Sequence, residues 1–260
     1  MMNRRSFMGH MGGIGMLASV GAPGAVTEKR RVFTLENYYL KNGTQMGRIQ
    51  DHIGKAALPA LSRVHAGPKI VLEALVASHM PQVAVILGFQ SIEELWNVRA
   101  KITSDEELMK SCEAWETHSE QPYEHFSTSL LEATDYCPEI EDDKETRNTS
   151  RIFELRVYHS PTWRQLRALH ERFAGPEIKI FHRVGVNPIL YTSTVIGQNM
   201  PNLTYLIPFE DLAAREKAWN AFAADPEWVK VRKESIDRYG QISSIIQIAL
   251  YRAAAYSPVR

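Results

Sequence analysis

Residues 79–89 read HMPQVAVILGF and residues 199–209 read NMPNLTYLIPF. Met80-Pro81 stands ahead of an apolar run ending at Phe89, and 120 positions later Met200-Pro201 stands ahead of one ending at Phe209. A duplicated fold keeps its core spacing, so further pairs must recur at the same offset. They do. Arg31-Val32-Phe33-x-Leu35-x-x-Tyr38 is answered by Arg151-Ile152-Phe153-x-Leu155-x-x-Tyr158, Gln45 by Gln165, Arg63-Val64 by Arg183-Val184, and Pro68 by Pro188. Asp105-x-Glu107-x-x-Lys110 returns as Asp225-x-Glu227-x-x-Lys230. The matches fall at strand starts, helix starts and apolar anchors, the mark of a tandem duplication.

Within the first copy, Val32 to Tyr39 alternates Phe33 and Leu35 with Thr34, Glu36 and Tyr38, the period-2 pattern of a strand. Met46, Ile49, Ile53, Ala57 and Leu61 then recur at helical spacing over 44–64, interrupted by Pro59. Gly67-Pro68 ends that helix. Strands follow at 69–77 and 82–89, with Pro81 at a strand start, where a missing N–H is tolerated; we read this hairpin as joining central strands. Ser91-Ile-Glu-Glu94 has the form of a capping box, and Asp105 restarts a helix after a break near Ile102-Thr103. A strand at 123–131 closes the copy.

The second copy repeats the order: strand 151–158, helix 162–183, strands 189–196 and 202–209, a broken helix 211–239 and a strand at 242–250. Asp225-Pro226 there sets a capping residue before a proline at the first helical position. The order β-α-β-β-α-β is ferredoxin-like. Each four-stranded sheet has one face without helices. The predicted fold is therefore α+β, two tandem repeats (31–134 and 151–252) packed sheet to sheet as an intrachain barrel, joined by a polar, acidic linker at 135–150 that orders in part at Tyr136 or Ile140.

The first residues differ from the rest. A charged head at Asn3-Arg4-Arg5, a short apolar stretch from Gly9 to Val20 and small residues to Ala25 describe an export signal over 1–25, too short to span a bilayer. The Arg4-Arg5-Ser6-Phe7 run resembles a bacterial twin-arginine leader, which implies a periplasmic or otherwise exported protein. Thirty basic residues balance thirty acidic ones without a basic block, which excludes the footprint of a nucleic-acid binder. No membrane span is expected in the mature chain. Cys112 and Cys137 could pair in an exporting compartment or remain thiols; both readings stay open.

The openings RVFTLENYYL and RIFELRVYHS, with the duplicated plan and the broken second helix, resemble the NIPSNAP family of the dimeric α/β barrel superfamily. The resemblance covers 31–252. Arg151 to Tyr158 carries it best, whereas the first copy has Thr34 and Glu36 in place of Glu154 and Arg156. It implies a barrel but no particular reaction, because the superfamily includes monooxygenases, isomerases, haem enzymes and proteins without known activity.

If Phe33, Leu35, Phe153 and Leu155 face the helices, alternation sends Thr34, Glu36, Tyr38, Glu154, Arg156 and Tyr158 into the barrel. The last strands then place Phe126 and Leu130 under the helices, with His125, Ser127, Ser129 and Gln247 inside. Glu73, Tyr191 and Tyr205 join as further ligand-lining candidates. Glu36, Glu154, Arg156 and His125 would share an enclosed space, either as a salt-bridged seam or as a site for a small organic molecule, with His125 or Glu154 as general base. The motifs of zincins, α/β-hydrolases, P-loop and Rossmann enzymes are missing from the sequence. The histidines at 52, 65, 118, 170 and 182 fall on helices or their ends, without the spacing of a metal site, so no metal and no cofactor is predicted; haem is carried as an alternative. Tryptophans 96, 115, 163, 219 and 228 read as helix-borne core residues. The readings carried forward are a small-molecule-binding barrel, with enzyme activity left open, and an interaction protein with a filled barrel. Homo-oligomer formation is compatible with both.

Overall fold

The computed structural model describes residues 30–142 and 151–260, so the predicted leader and the stretch 143–150 of the predicted linker lie outside the described residues. The first copy runs β1 (Val32–Tyr39), α1 (Gln45–His52), α2 (Leu58–Val64), β2 (Lys69–Val76), β3 (Gln82–Phe89), α3 (Ile92–Ile102), α4 (Glu106–Glu116) and β4 (His125–Ala133). The second runs β5 (Ile152–His159), α5 (Trp163–Arg172), α6 (Ile178–Arg183), β6 (Leu190–Ile196), β7 (Asn202–Phe209), α7 (Leu212–Ala224), α8 (Pro226–Tyr239) and β8 (Ile245–Ala253).

The first helix of the first copy is not broken at Pro59, where an interruption was expected. A π-helical turn, Ile53–Ala57 in one copy and Phe173–Glu177 in the other, joins α1 to α2 and α5 to α6. The wider turn lets the first-copy helix continue around Pro59, which lacks the N–H that a regular turn would use, whereas the second-copy helix is kinked at Gly175, whose backbone is non-helical (φ −90°, ψ −110°), just ahead of Pro176. The second helices are capped as their sequences predict. Ser91 accepts from the Glu94 amide, Asp105 from that of Leu108, and Asp225 from those of Glu227 and Trp228. Arg63 bonds Asp105 and Arg183 bonds Asp225, so one ion pair, repeated at the duplication offset, ties the two helical segments of each copy.

The eight strands close into a barrel in the order β1-β3-β2-β8-β5-β7-β6-β4. β1 and β3 are central in the first sheet and β2 is outer, so the Met80-Pro81 hairpin joins a central strand to an outer one rather than two central strands. The copies meet at β2·β8 and β4·β6, each with one register shift. Neither sheet is left with an unpaired edge, which removes the hazard that a lone four-stranded sheet would carry.

Strand alternation runs opposite to the sequence expectation. Phe33, Leu35, Ile70, Leu72, Ile86, Leu131, Phe153, Leu155, Leu206 and Tyr251 form one cluster drawn from both copies, which is the barrel interior. Thr34, Glu36, Tyr38, Glu154, Arg156 and Tyr158 therefore face the helices. A period of two separates the faces of a strand without saying which face the barrel takes, and here both faces are covered by apolar neighbours. The last strands follow the expectation: Ser127, Ser129 and Gln247 line the barrel interior, and Phe126 packs against Tyr38 and Tyr123 beneath the helices.

Tyr136 and Ile140 of the linker do pack, against the second helical layer and the barrel core respectively. Cys112 and Cys137 are both free thiols. Trp115, Trp219 and Trp228 pack in the helical layers, whereas Trp96 and Trp163 stand exposed, contrary to the expectation that all five are core.

Candidate functional site

Each copy has a space between its sheet and its helices, and the two spaces are filled differently. In the first copy a cavity of about 280 Å³ is walled by Ile53, Leu58, Leu61, Val71, Val85, Leu87, Phe89, Leu95, Val98 and Ile102. Thr34, Glu36 and Tyr38 of β1 and Arg99 of α3 supply its main polar groups. The Thr34 hydroxyl is buried without a hydrogen-bond partner among the described residues. Burial raises the Glu36 carboxyl above the ordinary carboxylate range, and the Arg99 charge and the Tyr38 hydroxyl offset this only in part. Burial also pushes the Tyr38 phenol up, helped by the charge of Glu36, so it keeps its proton. A mostly apolar pocket with a few convergent polar groups and a perturbed carboxyl is the usual form of a small-molecule site.

The corresponding space in the second copy is packed. At the duplication offset Ile53 becomes Phe173, Leu61 becomes Phe181, Val71 becomes Tyr191, and Val85 becomes Tyr205. All four aromatics are buried and in ring contact with one another, Phe173 meeting Phe181, Tyr191 and Tyr205 at centroid distances of 5.6 Å. Thr34, Glu36 and Arg99 become Glu154, Arg156 and Trp219. Arg156 Nε donates to Glu154 at 2.5 Å, Arg215 Nε to its other oxygen at 2.5 Å, and the Trp219 indole N–H to that same oxygen at 3.0 Å. The Arg156 guanidinium lies over the Trp219 ring at 3.6 Å. This charge cluster is satisfied on every side, as a buried ion pair must be.

The structure therefore separates the residues that sequence reasoning grouped. Glu36 and Tyr38 line the first-copy cavity; Glu154, Arg156, Tyr158, Tyr191 and Tyr205 belong to the filled second copy. Arg156 does pair with Glu154, but under the helices and not at a barrel seam. His125 lies elsewhere, at the barrel mouth, stacked on Tyr39 at 4.2 Å with His79 edge-on. Gln247 lines a separate cavity inside the barrel. Glu73 is on the outer face of β2, opposite Arg252 of β8 and outside both cavities. Sequence reasoning passed over Arg99. Its signal was legible: an arginine one position after Val98 on the stripe Leu95, Val98, Ile102.

Among the described residues no group of three or more His, Cys, Asp or Glu side chains is placed to hold a metal ion, and no helix is long and apolar enough to cross a membrane. His170 is instead bound at both ring nitrogens, to Tyr136 and Ser193, each at 2.8 Å.

The closed eight-stranded barrel with helices on its outside has the fold of the dimeric α/β barrels, with one chain supplying both halves. Residues 153–258, essentially the second copy, match the family model described as NIPSNAP. No curated protein sequence matches the chain. Among solved structures, the chain is similar to an anthrone oxidase-like protein at 13% identity and TM-score 0.53, covering 87% of this chain and 92% of that one. It is also similar to a proposed monooxygenase from Fusobacterium nucleatum subsp. nucleatum at 10% identity and TM-score 0.55, covering 86% and 93%. A proposed chlorite dismutase aligns at 12% identity and TM-score 0.52 over 88% and 96%. At these identities the likeness is one of fold, and it spans both copies.

Proposed function

We propose that the protein binds a small, largely apolar organic molecule with one polar end in the cavity of the first copy, and that Glu36 exchanges a proton with that end. The observation that carries this reading is the exchange of Phe173, Phe181, Tyr191 and Tyr205 for Ile53, Leu61, Val71 and Val85, which leaves space in one copy where the other is filled. Space beside an unpartnered hydroxyl and a carboxyl raised by burial is arranged for a ligand. A carboxyl so raised serves as proton donor or acceptor nearer neutrality than a solvated one. Arg99 is placed to stabilise negative charge that develops on the ligand as its proton leaves.

Two structures of the same fold bear names of oxidation chemistry, the anthrone oxidase-like protein and the proposed monooxygenase. An aromatic substrate with an acidic O–H or C–H would join such chemistry to proton transfer by Glu36. Haem fits this lining poorly, because none of the cavity residues is His, Cys or Met, and the phenol of Tyr38 is held in its protonated form. Export through the twin-arginine-type leader is part of the proposal and rests on Arg4-Arg5-Ser6-Phe7 and the apolar stretch that follows.

Native mass spectrometry of the mature protein from an exporting bacterial host tests the reading. A bound organic molecule that is lost from the Glu36→Gln and Val85→Tyr variants supports it. A ligand retained by Val85→Tyr places binding elsewhere and overturns it.

A further inference from the structure

The barrel interior is divided along its axis. Toward the end where β1 begins it is closed by Phe33, Phe153, Ile70, Leu190 and their neighbours. Toward the end that carries the two Met-Pro hairpins it opens into a cavity of about 490 Å³. The lining there is rich in amides and hydroxyls, among them Asn37, Gln82, Asn202, Thr204, Ser129 and Tyr251, and among the described residues no acid, lysine or arginine contributes to it. Lining of this kind solvates an uncharged polar group and gives no compensation to an ion.

One hydrogen-bonding chain in this cavity is incomplete. The Gln82 amide nitrogen donates to Asn37 Oδ1 at 2.9 Å and to the Tyr251 hydroxyl at 3.0 Å. Gln82 is only 4% exposed, yet its carbonyl oxygen has no partner among the described residues. Tyr251 is 1% exposed and receives the Gln82 N–H, so its own O–H is available to donate to another acceptor. A buried acceptor and a buried donor stand side by side, and a single hydroxyl group satisfies both. In the second copy Asn202 takes the place of Gln82, and its side chain is fully engaged by Thr194, Thr204 and the carbonyls of Gln198 and Asn199. The open hydrogen-bonding capacity is on one side of the cavity.

The rim is of the opposite character. Val76 and Val157 line the cavity toward that end, the first 60% exposed and the second half-buried. Apolar surface gathered at the mouth of a polar cavity is matched by a molecule that is polar at one end and apolar at the other.

We propose that the barrel interior is a second binding site, separate from the first-copy cavity, for a neutral amphiphile whose hydroxyl-bearing head bonds Gln82 and Tyr251 and whose apolar part lies against Val76 and Val157. Octyl glucoside below its micelle concentration is the probe, with glucose and octyl sulfate as its polar and charged counterparts, read by isothermal titration calorimetry. Saturable one-to-one binding of octyl glucoside is expected, with weaker binding of glucose and exclusion of octyl sulfate. Gln82→Ala removes one bond to the head and should weaken binding about tenfold. Ala249→Phe fills the cavity and should abolish binding while the thermal transition persists. If that variant loses its transition, Ser127→Phe nearer the mouth takes its place. Val85→Tyr, which fills the first-copy cavity, should bind octyl glucoside as the native protein does, which keeps this site distinct from the one proposed above. Undiminished binding by a folded cavity-filling variant, equal binding of octyl sulfate, or no saturable heat, as from a cavity that holds water only, would each overturn the proposal.

Discussion

Val85 on β3 and Tyr205 on β7 hold the same place in the two copies, and the first faces a cavity where the second fills a core. The same holds for Val71 and Tyr191. Duplication has kept the frame, and exchange of aliphatic for aromatic side chains at four positions has made the copies unequal. One copy is a rigid aromatic core; the other retains a pocket.

Removing Arg156 should harm the fold and leave the first-copy pocket intact. Arg156→Met leaves the fully buried Glu154 with Arg215 and Trp219 but without one of its two guanidinium partners. Loss of one member of a buried pair typically costs several kcal/mol, and the partners that remain bring the expected cost to about 3 kcal/mol. Urea unfolding measures it. A change under 1 kcal/mol would show that the cluster contributes little, and loss of ligand without loss of stability would return Arg156 to a binding role.

Two buried groups should give opposite pH dependences. Burial, aided by Arg30, lowers His170 from its ordinary value to about 4, so the folded protein keeps it neutral while the unfolded chain protonates it. Its contribution is complete above the unfolded value near 6.5 and is lost as pH falls toward 4. Burial raises Glu177 to about 7 despite its bond to Arg172 at 2.6 Å, so the folded protein holds a proton that the unfolded chain releases near 4.5. Its contribution is complete below 4.5 and is lost as pH rises through 7. Thermal midpoints between pH 4 and 7.5 should therefore fall less on acidification in His170→Gln than in the native protein, and more in Glu177→Gln. Parallel profiles for all three proteins would contradict both assignments.

The repeated capping contacts give an internal control. Asp105 and Asp225 each cap a helix and each bind an arginine at the end of the first helical segment of their copy, Arg63 of α2 and Arg183 of α6. Alanine at either position should lower the urea midpoint to a similar extent, most of it from the lost cap, because the ion pairs are solvent-exposed. Shifts that differ by more than twofold would mean that the two copies do not share this joint.

Much of the fold was legible because duplication shows itself twice. The offset between Met80-Pro81 and Met200-Pro201 fixed the repeat, the capping residues marked the second helices, and the uncovered sheet faces required a partner. What failed was the direction of β1 and β5. Thr34, Glu36 and Tyr38 look like the wet side of a strand, but both sides are dry here, and polar residues between sheet and helices are tolerated where they pair or face a cavity. The error carried over to the site: Glu36, Glu154, Arg156 and His125 were placed together and lie in three separate regions. The cavity itself was written in the comparison of the copies, in Val71 and Val85 against Tyr191 and Tyr205, a difference visible only once the inward and outward faces are known.

The most direct test of the pocket is a titration with 2-naphthol, a neutral aromatic molecule with one hydroxyl, followed by its fluorescence in the native protein and in Val85→Tyr. The account predicts saturable binding at one site in the native protein and its loss in a Val85→Tyr protein that melts no lower than the native one. Equal binding by both would show that the first-copy cavity is not where such molecules go.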